Sequence, residues 1–348
     1  MKSIQQNCSI LLIILSLPFI FIGCGNDNAP DVSKIPVEIK SQRLDKDLYA
    51  LDTNQLGSGL ASLRSKYPEF LNFYLDTVMG FSINNNYTDS NPGVQKGLRT
   101  FLTHPDYRGV FDTVLARYPD ESRINETLKK GFQYVKHYFP EYKEPRIIYL
   151  VSGLNNYGAL TYGEDILGIG LDMFLGADYP YYKSVGIPEY FSRQLNENYI
   201  PIAVMRTVYR QDHPFVVDGK VLLDMMIQSG KEMYYIGKVL PFTEERVRLA
   251  YSAEQLQWCE ENEAMIYDFF VRKELLYENN LQKVIRYVMD GPSATGMPAE
   301  SPGNVGAWLG LQIVEAYMQE HPDMTLEQLV SAPIDAQRFL LESKYKPR

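Results

Sequence analysis

The sequence predicts an α+β fold that is mostly helical, with a small mixed sheet embedded among the helices. Apolar residues recur at helical spacing along most of the 348 residues. Residues 146–152 are instead rich in β-branched and aromatic side chains, which predicts a strand. Residues 158–175 have the pattern of two further strands joined by a turn at residues 163–165.

Helices are predicted over most of the remaining chain. In residues 120–139, Asp120 is suited to cap a helix, apolar residues follow on one face, and Pro140 ends the pattern. The same periodicity predicts helices at about residues 54–79, 108–118, 198–212, 220–238, 252–278 and 303–320.

The long loops carry no composition change that would mark a domain boundary, so residues 37–348 are expected to form a single domain. Loops are predicted near residues 80–92, 176–187 and 290–302. The last of these is rich in Gly, Pro and Ser and is long enough to act as a flap or a binding loop.

The first residues predict a lipoprotein signal over residues 1–23. The apolar run at residues 10–22 is interrupted by Pro18 and is too short to span a bilayer. It ends in the letters FIGC, and this sequence before Cys24 resembles the lipobox of bacterial lipoproteins. Residues 24–36 would then form a tether anchored to the membrane by acyl chains on Cys24. The alternative is an ordinary secretory signal with an incidental cysteine.

Charge and cysteine content narrow the class further. The formal net charge is −9 without a long basic run, which argues against a nucleic-acid partner. Of the three cysteines, Cys8 would leave with the signal and Cys24 would be acylated, so no internal disulfide is expected. Cys259 lies in a helical pattern and is predicted to be a small core residue.

Three segments together resemble a known family. They are the lipobox, the stretch LLDMMIQSGKEMYY from Leu222 and the stretch GNVGAWLGLQIVEAYM from Gly303. Together with the predicted strands, they resemble the gliding-motility lipoprotein B family of Bacteroidetes over about residues 40–346. That family is similar to predicted zinc peptidases, so the resemblance implies a zincin-like fold in which an edge strand lines the substrate cleft and two helices lie behind it.

The residues that would bind zinc in such peptidases are missing. The first helix of the pair carries H-E-x-x-H, but here residues 198–212 carry Arg206 and Arg210 one turn apart. A guanidinium does not deprotonate and does not ligate zinc. On the second helix, alignment on Gly230 puts Ser229 where the peptidases have a glutamate, and Glu232 is displaced by about 100°. The sequence therefore predicts no metal, no cofactor and no catalysis.

A cationic pocket is predicted in place of the metal site. Arg206, Arg210 and Lys231 are expected to approach one another where the two helices face the strand hairpin. Like charges that are partly buried need partners, and the candidates are Asp224 and Glu232 or an acidic group of a ligand. The alternative is that one or both arginines face solvent.

These observations predict a lipid-anchored cell-envelope protein that acts by binding and has an envelope protein as its partner. The resemblance implies a role in gliding or in the associated secretion machinery. Residues 25–28 lack a lysine-plus-acid export pattern, which favours the periplasmic face. Two alternatives remain: a peptide- or glycan-binding lipoprotein that uses a former peptidase cleft, and an active hydrolase with an unusual metal or none.

Overall fold

A four-stranded mixed sheet forms the centre of the fold. The computed structural model describes residues 29–83, 91–155 and 158–348. The strands of the sheet, in the order β1-β2-β4-β3, are β1 (Ser41–Arg43), β2 (Arg146–Leu150), β3 (Ala159–Tyr162) and β4 (Ile166–Gly170). The first three in this order run parallel, and β3 pairs antiparallel with β4 at the edge.

The predicted strands are confirmed, and one strand was missed. β2 lies within the predicted segment 146–152, and the hairpin of β3 and β4 turns at residues 163–165 as expected. Both β2 and β4 are buried almost throughout, because helices cover the sheet. The short β1 was not predicted, since its three residues show no alternation of apolar and polar side chains.

The helices that precede the hairpin differ from the predictions at several points. The predicted helix 54–79 is divided at Pro68, which a helix interior disfavours, and no helix was predicted at Leu44–Tyr49 or Pro92–Thr103. Asp120 accepts a hydrogen bond from the backbone of Ser122, but the helix begins one residue later than predicted. The helices are α1 (Leu44–Tyr49), α2 (Leu56–Lys66), α3 (Phe70–Phe73), which continues as a π-helix (Tyr74–Val78), α4 (Pro92–Thr103), α5 (Pro105–Arg117) and α6 (Ser122–Tyr138).

The helices after the hairpin include those predicted, although the predicted helix 252–278 breaks at Asn262 and short helices also occur where none was predicted, one of them inside the predicted loop 176–187. They are α7 (Pro180–Ser184), α8 (Glu189–Ser192), α9 (Ile200–Asp212), α10 (Leu222–Val239), α11 (Glu245–Arg248), α12 (Ala253–Glu261), α13 (Glu263–Arg272), α14 (Leu281–Val284), α15 (Val305–Glu320), α16 (Leu326–Ser331) and α17 (Ala336–Ser343). Three-residue to four-residue 3-10 helices lie at Leu171–Phe174, Glu197–Tyr199 and Ile285–Tyr287. The α+β class is thus confirmed.

Gly230 in the middle of α10 is explained by its neighbour on α15. A Cβ at position 230 would lie 2.8 Å from the backbone nitrogen of Leu311 and would overlap the carbonyl group of Gly310. A Cβ at Gly310 would overlap the carbonyl group of Met226 in the same way. The two glycines let the helix backbones touch, and this contact compensates for the low helix propensity of glycine. Gly230 is thus required by the close packing of α10 against α15.

The candidate anchor is not part of the described fold. Cys24 and residues 1–23 lie outside the described residues. Within the described ranges, no helix combines the length and apolar character needed to cross a bilayer. Cys259 is fully buried, as expected of a core residue, and burial raises the pKa of its thiol.

Candidate functional site

A cleft of about 410 Å³ opens between the edge strand β3 and the helices α9 and α10. Gly158 and Ala159 form its strand side, and α9 contributes Arg206 and Arg210. The facing side of α10 contributes Glu232. Its remaining walls come from the 3-10 helix at residues 171–174, from residues 191–199 and from both ends of the loop at residues 290–302. The further residues that close the cleft at that loop are Val288, Met289, Asp290, Asn304 and Ala307.

Glu232 joins the two arginines of α9 into one ionic cluster. Arg210 donates from Nε and Nη2 to the two carboxylate oxygens of Glu232, at 2.6 and 3.0 Å. The Nε atom of Arg206 lies 2.8 Å from Glu232 Oε1. The Glu232 side chain is only 8% exposed whereas that of Arg210 is 50% exposed, so the carboxylate is the protected centre of the cluster. The two arginines are therefore paired internally, which was the first of the options that the sequence left open.

Arg206 is held on its other side by Tyr199. Its Nη1 atom donates to the tyrosine hydroxyl at 2.7 Å. Burial acts to lower the pKa of Arg206, but Tyr199 and Glu232, with a further contribution from Asp290, raise it above the ordinary value. Arg206 is thus a fixed cation. The N–H of its Nε atom is not aligned with the nearby carboxylate and has no hydrogen-bond partner among the described residues.

Lys231 and Asp224 do not belong to this cluster, and the prediction that they join it is corrected. Lys231 points to the other side of α10, where its Nζ atom donates to the carbonyl of Ala332 at 2.8 Å. It also lies over the ring of Phe339, and burial lowers its pKa to about 8. The reason is helix geometry, because adjacent residues point about 100° apart. Asp224 instead accepts a hydrogen bond from the backbone of Val221 at the start of α10.

Glu232, by contrast, does face the cleft, beside Ser229 and Met233. The sequence alignment on Gly230 suggested that a glutamate at position 232 is displaced from the peptidase positions. In the structure, residues 229, 232 and 233 all line the cleft, so the displacement leaves the carboxylate within it.

Hydrogen bonds join the two ends of the loop at residues 290–302, which was predicted to act as a flap or a binding loop. The carboxylate of Asp290 accepts a hydrogen bond from Gln194 Nε2 at 2.7 Å and another from Asn304 Nδ2 at 3.0 Å. Both ends of the loop therefore meet at the cleft, next to Arg206. Inside the loop, the hydroxyl of Ser301 accepts a hydrogen bond from the backbone of Ala294.

The edge strand presents unused backbone groups beside the cleft. The backbone nitrogen of Gly170 donates to the carbonyl of Gly158, which lies directly opposite it. Since hydrogen-bonded pairs alternate along antiparallel strands, Ala159 and Thr161 must point their N–H and C=O groups away from β4. No hydrogen bond from the described residues reaches these groups. The outer edge of β3 can therefore form backbone hydrogen bonds with another extended segment.

The donor set of the cleft does not fit a zinc ion of the peptidase type. At the two positions one turn apart on α9, guanidinium groups stand where a tetrahedral site needs imidazoles, and they already occupy both oxygens of Glu232. Within the described residues, no group of three or more His, Cys, Asp or Glu side chains has the arrangement of a metal site.

Sequence reasoning missed the residues that support the cluster. Tyr199 has a usable signal, because it lies seven residues before Arg206 and therefore on the same helical face. Gln194, Asp290 and Asn304 have no such signal, since they are brought together from segments far apart in the chain.

Comparison with known proteins gives one match. The model of the family described as "Gliding motility protein GldB" matches residues 25–347. No curated protein and no solved structure matches the chain. Because the match covers nearly the whole chain, the protein belongs to the family of the gliding motility protein GldB, and this membership suggests a gliding-motility lipoprotein of the cell envelope.

Proposed function

We propose that the protein works by binding rather than by turnover, as a lipid-anchored component beside the gliding apparatus or its associated secretion machinery. Signal removal after residue 23 and acylation of Cys24 would hold the domain at the membrane. The predicted tether of residues 24–36 is shorter than expected, because Val32 is buried and the carbonyl of Ile35 accepts a hydrogen bond from Gln133. The periplasmic face is the side that the residues after Cys24 favour.

The ionic cluster of Arg206, Arg210 and Glu232 is the observation that carries this proposal. It occupies the gap between α9 and α10, where a zinc peptidase of similar element order places its metal. A carboxylate engaged by two permanent cations is neither a free ligand nor an available general base. The cluster therefore supports a cleft that binds a partner and has no hydrolytic group of its own among the described residues.

The free edge of β3 favours an extended peptide over a glycan as the occupant of the cleft. An added strand would pair with the outward groups of Ala159 and Thr161, as in other cases of strand addition to a sheet edge. Arg210, whose side chain is half exposed in the same cleft, is the cation that an acidic or carboxyl-terminal residue of the peptide can reach.

Crosslinking followed by affinity purification from native envelopes tests the peptide proposal. Thr161→Pro removes one outward N–H without removing a hydrogen bond of the β3–β4 pair, because proline is tolerated at such edge positions. Thr161→Val is the matched control, because it changes the side chain and keeps the backbone donor. We expect recovery of the crosslinked partner to fall severalfold for Thr161→Pro and to stay at the wild-type level for Thr161→Val.

Equal recovery with both variants would exclude strand addition at β3.

Zinc content and peptidase assays separately test the proposal that the protein is not a catalyst. We expect the purified protein to lack stoichiometric zinc and to leave casein and peptide libraries intact. One tightly bound zinc per chain, with an activity that disappears on chelation, would contradict the proposal.

A further inference from the structure

A second pocket, of about 430 Å³, lies on the opposite side of α9 from the cleft. It is formed where α6 and α9 end, next to α10 and α16. Its walls are aromatic, and three carboxylates line it. The aromatic residues are Phe139, Tyr142, Tyr209, His213 and Tyr235, and the acidic residues are Glu141, Asp212 and Glu327. We call it the α6–α9 pocket.

The tyrosines of this pocket have hydroxyl groups that the protein does not use. The side chain of Tyr235 is 3% exposed, and no hydrogen bond from the described residues reaches its hydroxyl. The same holds for the hydroxyls of Tyr142 and Tyr209, and none of the three is a fully buried atom, so they open into the pocket. Burial first, and then the charges of Tyr142, Tyr209 and Asp212, raise the pKa of Tyr235, so its hydroxyl stays protonated near pH 7. A ligand in the pocket can therefore take the place of water at this hydroxyl.

The electrostatics of the α6–α9 pocket favour a cation. No lysine or arginine is among its lining residues, all of which lie in described parts of the chain. The carboxyl-terminal ends of α6 and α9 are both at the pocket, and each helix end carries about half a negative charge. Two cations oppose this: Lys231, which acts on His213 and donates to the carbonyl of Ala332, and Arg210, which acts on Tyr209. Arg210 is already paired with Glu232, so three carboxylates and two helix ends outweigh the remaining charge of Lys231.

The walls specify which kind of cation fits. Tyr209 and Tyr235 pack with ring centroids 5.1 Å apart, and Phe139 lies 5.9 Å from Tyr235. Aromatic faces attract organic cations and also bury the alkyl part of such a group. Burial lowers the pKa of His213, so its imidazole is neutral near pH 7 and does not repel a cation. A metal ion would gain nothing from these apolar walls, because it is bound by polar donor atoms.

We propose that the α6–α9 pocket binds an alkyl-linked organic cation, an ammonium or guanidinium group on an apolar stem. The carboxylates at Asp212 and Glu327 face the charge, the aromatic rings contact the stem, and the hydroxyl of Tyr235 accepts a hydrogen bond from the cation in place of water. This site is separate from the cleft at β3, and its existence does not depend on what that cleft binds.

Titration calorimetry of the full chain in detergent tests the proposal with a charged probe and its neutral isostere. The probes are Nα-acetyl-arginine methylamide and Nα-acetyl-citrulline methylamide, which have nearly the same shape. We expect the arginine probe to bind at least about tenfold more tightly, because only it carries the charge. A blocked pentapeptide with a central arginine identifies the source: tighter binding than the single residue indicates a polypeptide side chain, and equal binding indicates a free small cation.

Neutralising the acidic residues separates this site from general charge attraction. Asp212→Asn and Glu327→Gln should each weaken binding of the arginine probe by about two- to fivefold, the range for loss of one exposed ion pair. Glu126→Gln is the matched control, because Glu126 is exposed on α6 and does not line the pocket. Equal binding of the citrulline probe, no binding of the arginine probe at millimolar concentration, or an equal effect of the control would each overturn the proposal.

Discussion

The guanidinium of Arg210 and the carboxylate of Glu232 form two parallel hydrogen bonds between helices α9 and α10, at 2.6 and 3.0 Å. Such a bidentate pair fixes direction as well as distance. With Arg206 on the same carboxylate, it sets how the two helices are rotated toward the cleft. The cluster is therefore expected to contribute to stability as well as to the shape of the cleft.

Glu232→Gln should lower the free energy of unfolding by about 2–4 kcal/mol, because it leaves two guanidiniums without their shared counter-charge. Arg206→Ala should lower the melting temperature by several degrees and reduce steady-state abundance, since Arg206 also binds Tyr199. Arg210→Gln is the control. Its side chain is half exposed, so its loss should cost less than about 1 kcal/mol. Urea denaturation measures all three, and equal losses for Glu232→Gln and Arg210→Gln would show that the carboxylate is not the centre of the cluster.

Gly230→Ala should destabilise the protein, although alanine is the better helix former. The new methyl group would overlap the carbonyl of Gly310, and forced overpacking costs about 1–3 kcal/mol or more. Gly109→Ala on α5 is the control, because its Cβ would meet nothing within 4 Å. That variant should be neutral or more stable by up to about 1 kcal/mol. Thermal unfolding of both variants checks this, and similar melting temperatures would contradict the close contact of α10 with α15.

Glu315 on α15 makes stability depend on pH. Burial, followed by the charge of Glu245, raises its pKa to about 7, while Arg248, Lys238 and Arg348 oppose this shift. The folded state therefore binds a proton more tightly than the unfolded chain, whose glutamate has the ordinary pKa of 4.5. Stability from this group should be complete below pH 4.5 and should be lost as the pH rises through 7.

Glu315→Gln removes this titration. Relative to wild type, the variant should gain stability as the pH rises from 5 to 8, by on the order of 1–3 kcal/mol at the upper end. Glu300→Gln in an exposed loop provides the control and should follow the wild-type pH profile. A parallel pH dependence for wild type and Glu315→Gln would show that Glu315 is not the group responsible.

Cys24→Ala should release the protein from the membrane, because the tether contains no other segment apolar enough to hold it. We expect loss of metabolic labelling with palmitate and recovery in the soluble periplasmic or secreted fraction. Cys259→Ala is the matched control and should keep both the label and the membrane association. Retention of the Cys24→Ala variant after salt and carbonate washes would contradict anchoring at this residue.

Local signals explain which parts of the site were predictable. The hairpin of β3 and β4 has strand-forming residues on either side of a turn, and α9 and α10 have clear helical periodicity. These elements build the cleft, so its location followed from the sequence. The pairing of Glu232 with Arg206 and Arg210 was one of the options that the sequence left open, and only the structure decided it. A rotation of α10 by one residue would exchange Glu232 for Lys231, and periodicity does not resolve helix orientation that finely.

Long-range contacts explain the rest. Asp290 meets Gln194 across 96 residues of chain, a relation that no local pattern encodes. The α6–α9 pocket was also not predicted, because its aromatic residues come from three helices and the segments that follow them. Single aromatic residues along a sequence are most often core residues, and only the structure shows which of them leave a hydroxyl group without a partner.

The contact of Gly230 with Gly310 also constrains the order of folding. α10 cannot reach its native packing until α15, which begins 66 residues after α10 ends, has been brought against it. Such a non-local pairing carries a loop-closure cost before any contact is gained, and it slows folding. The two helices are then expected to open and close as one cooperative unit, with amide protons of α10 and α15 exchanging at a common rate. Until α15 has packed against α10, the chain lacks the part of the core between these two helices, and both helices stay exposed to solvent.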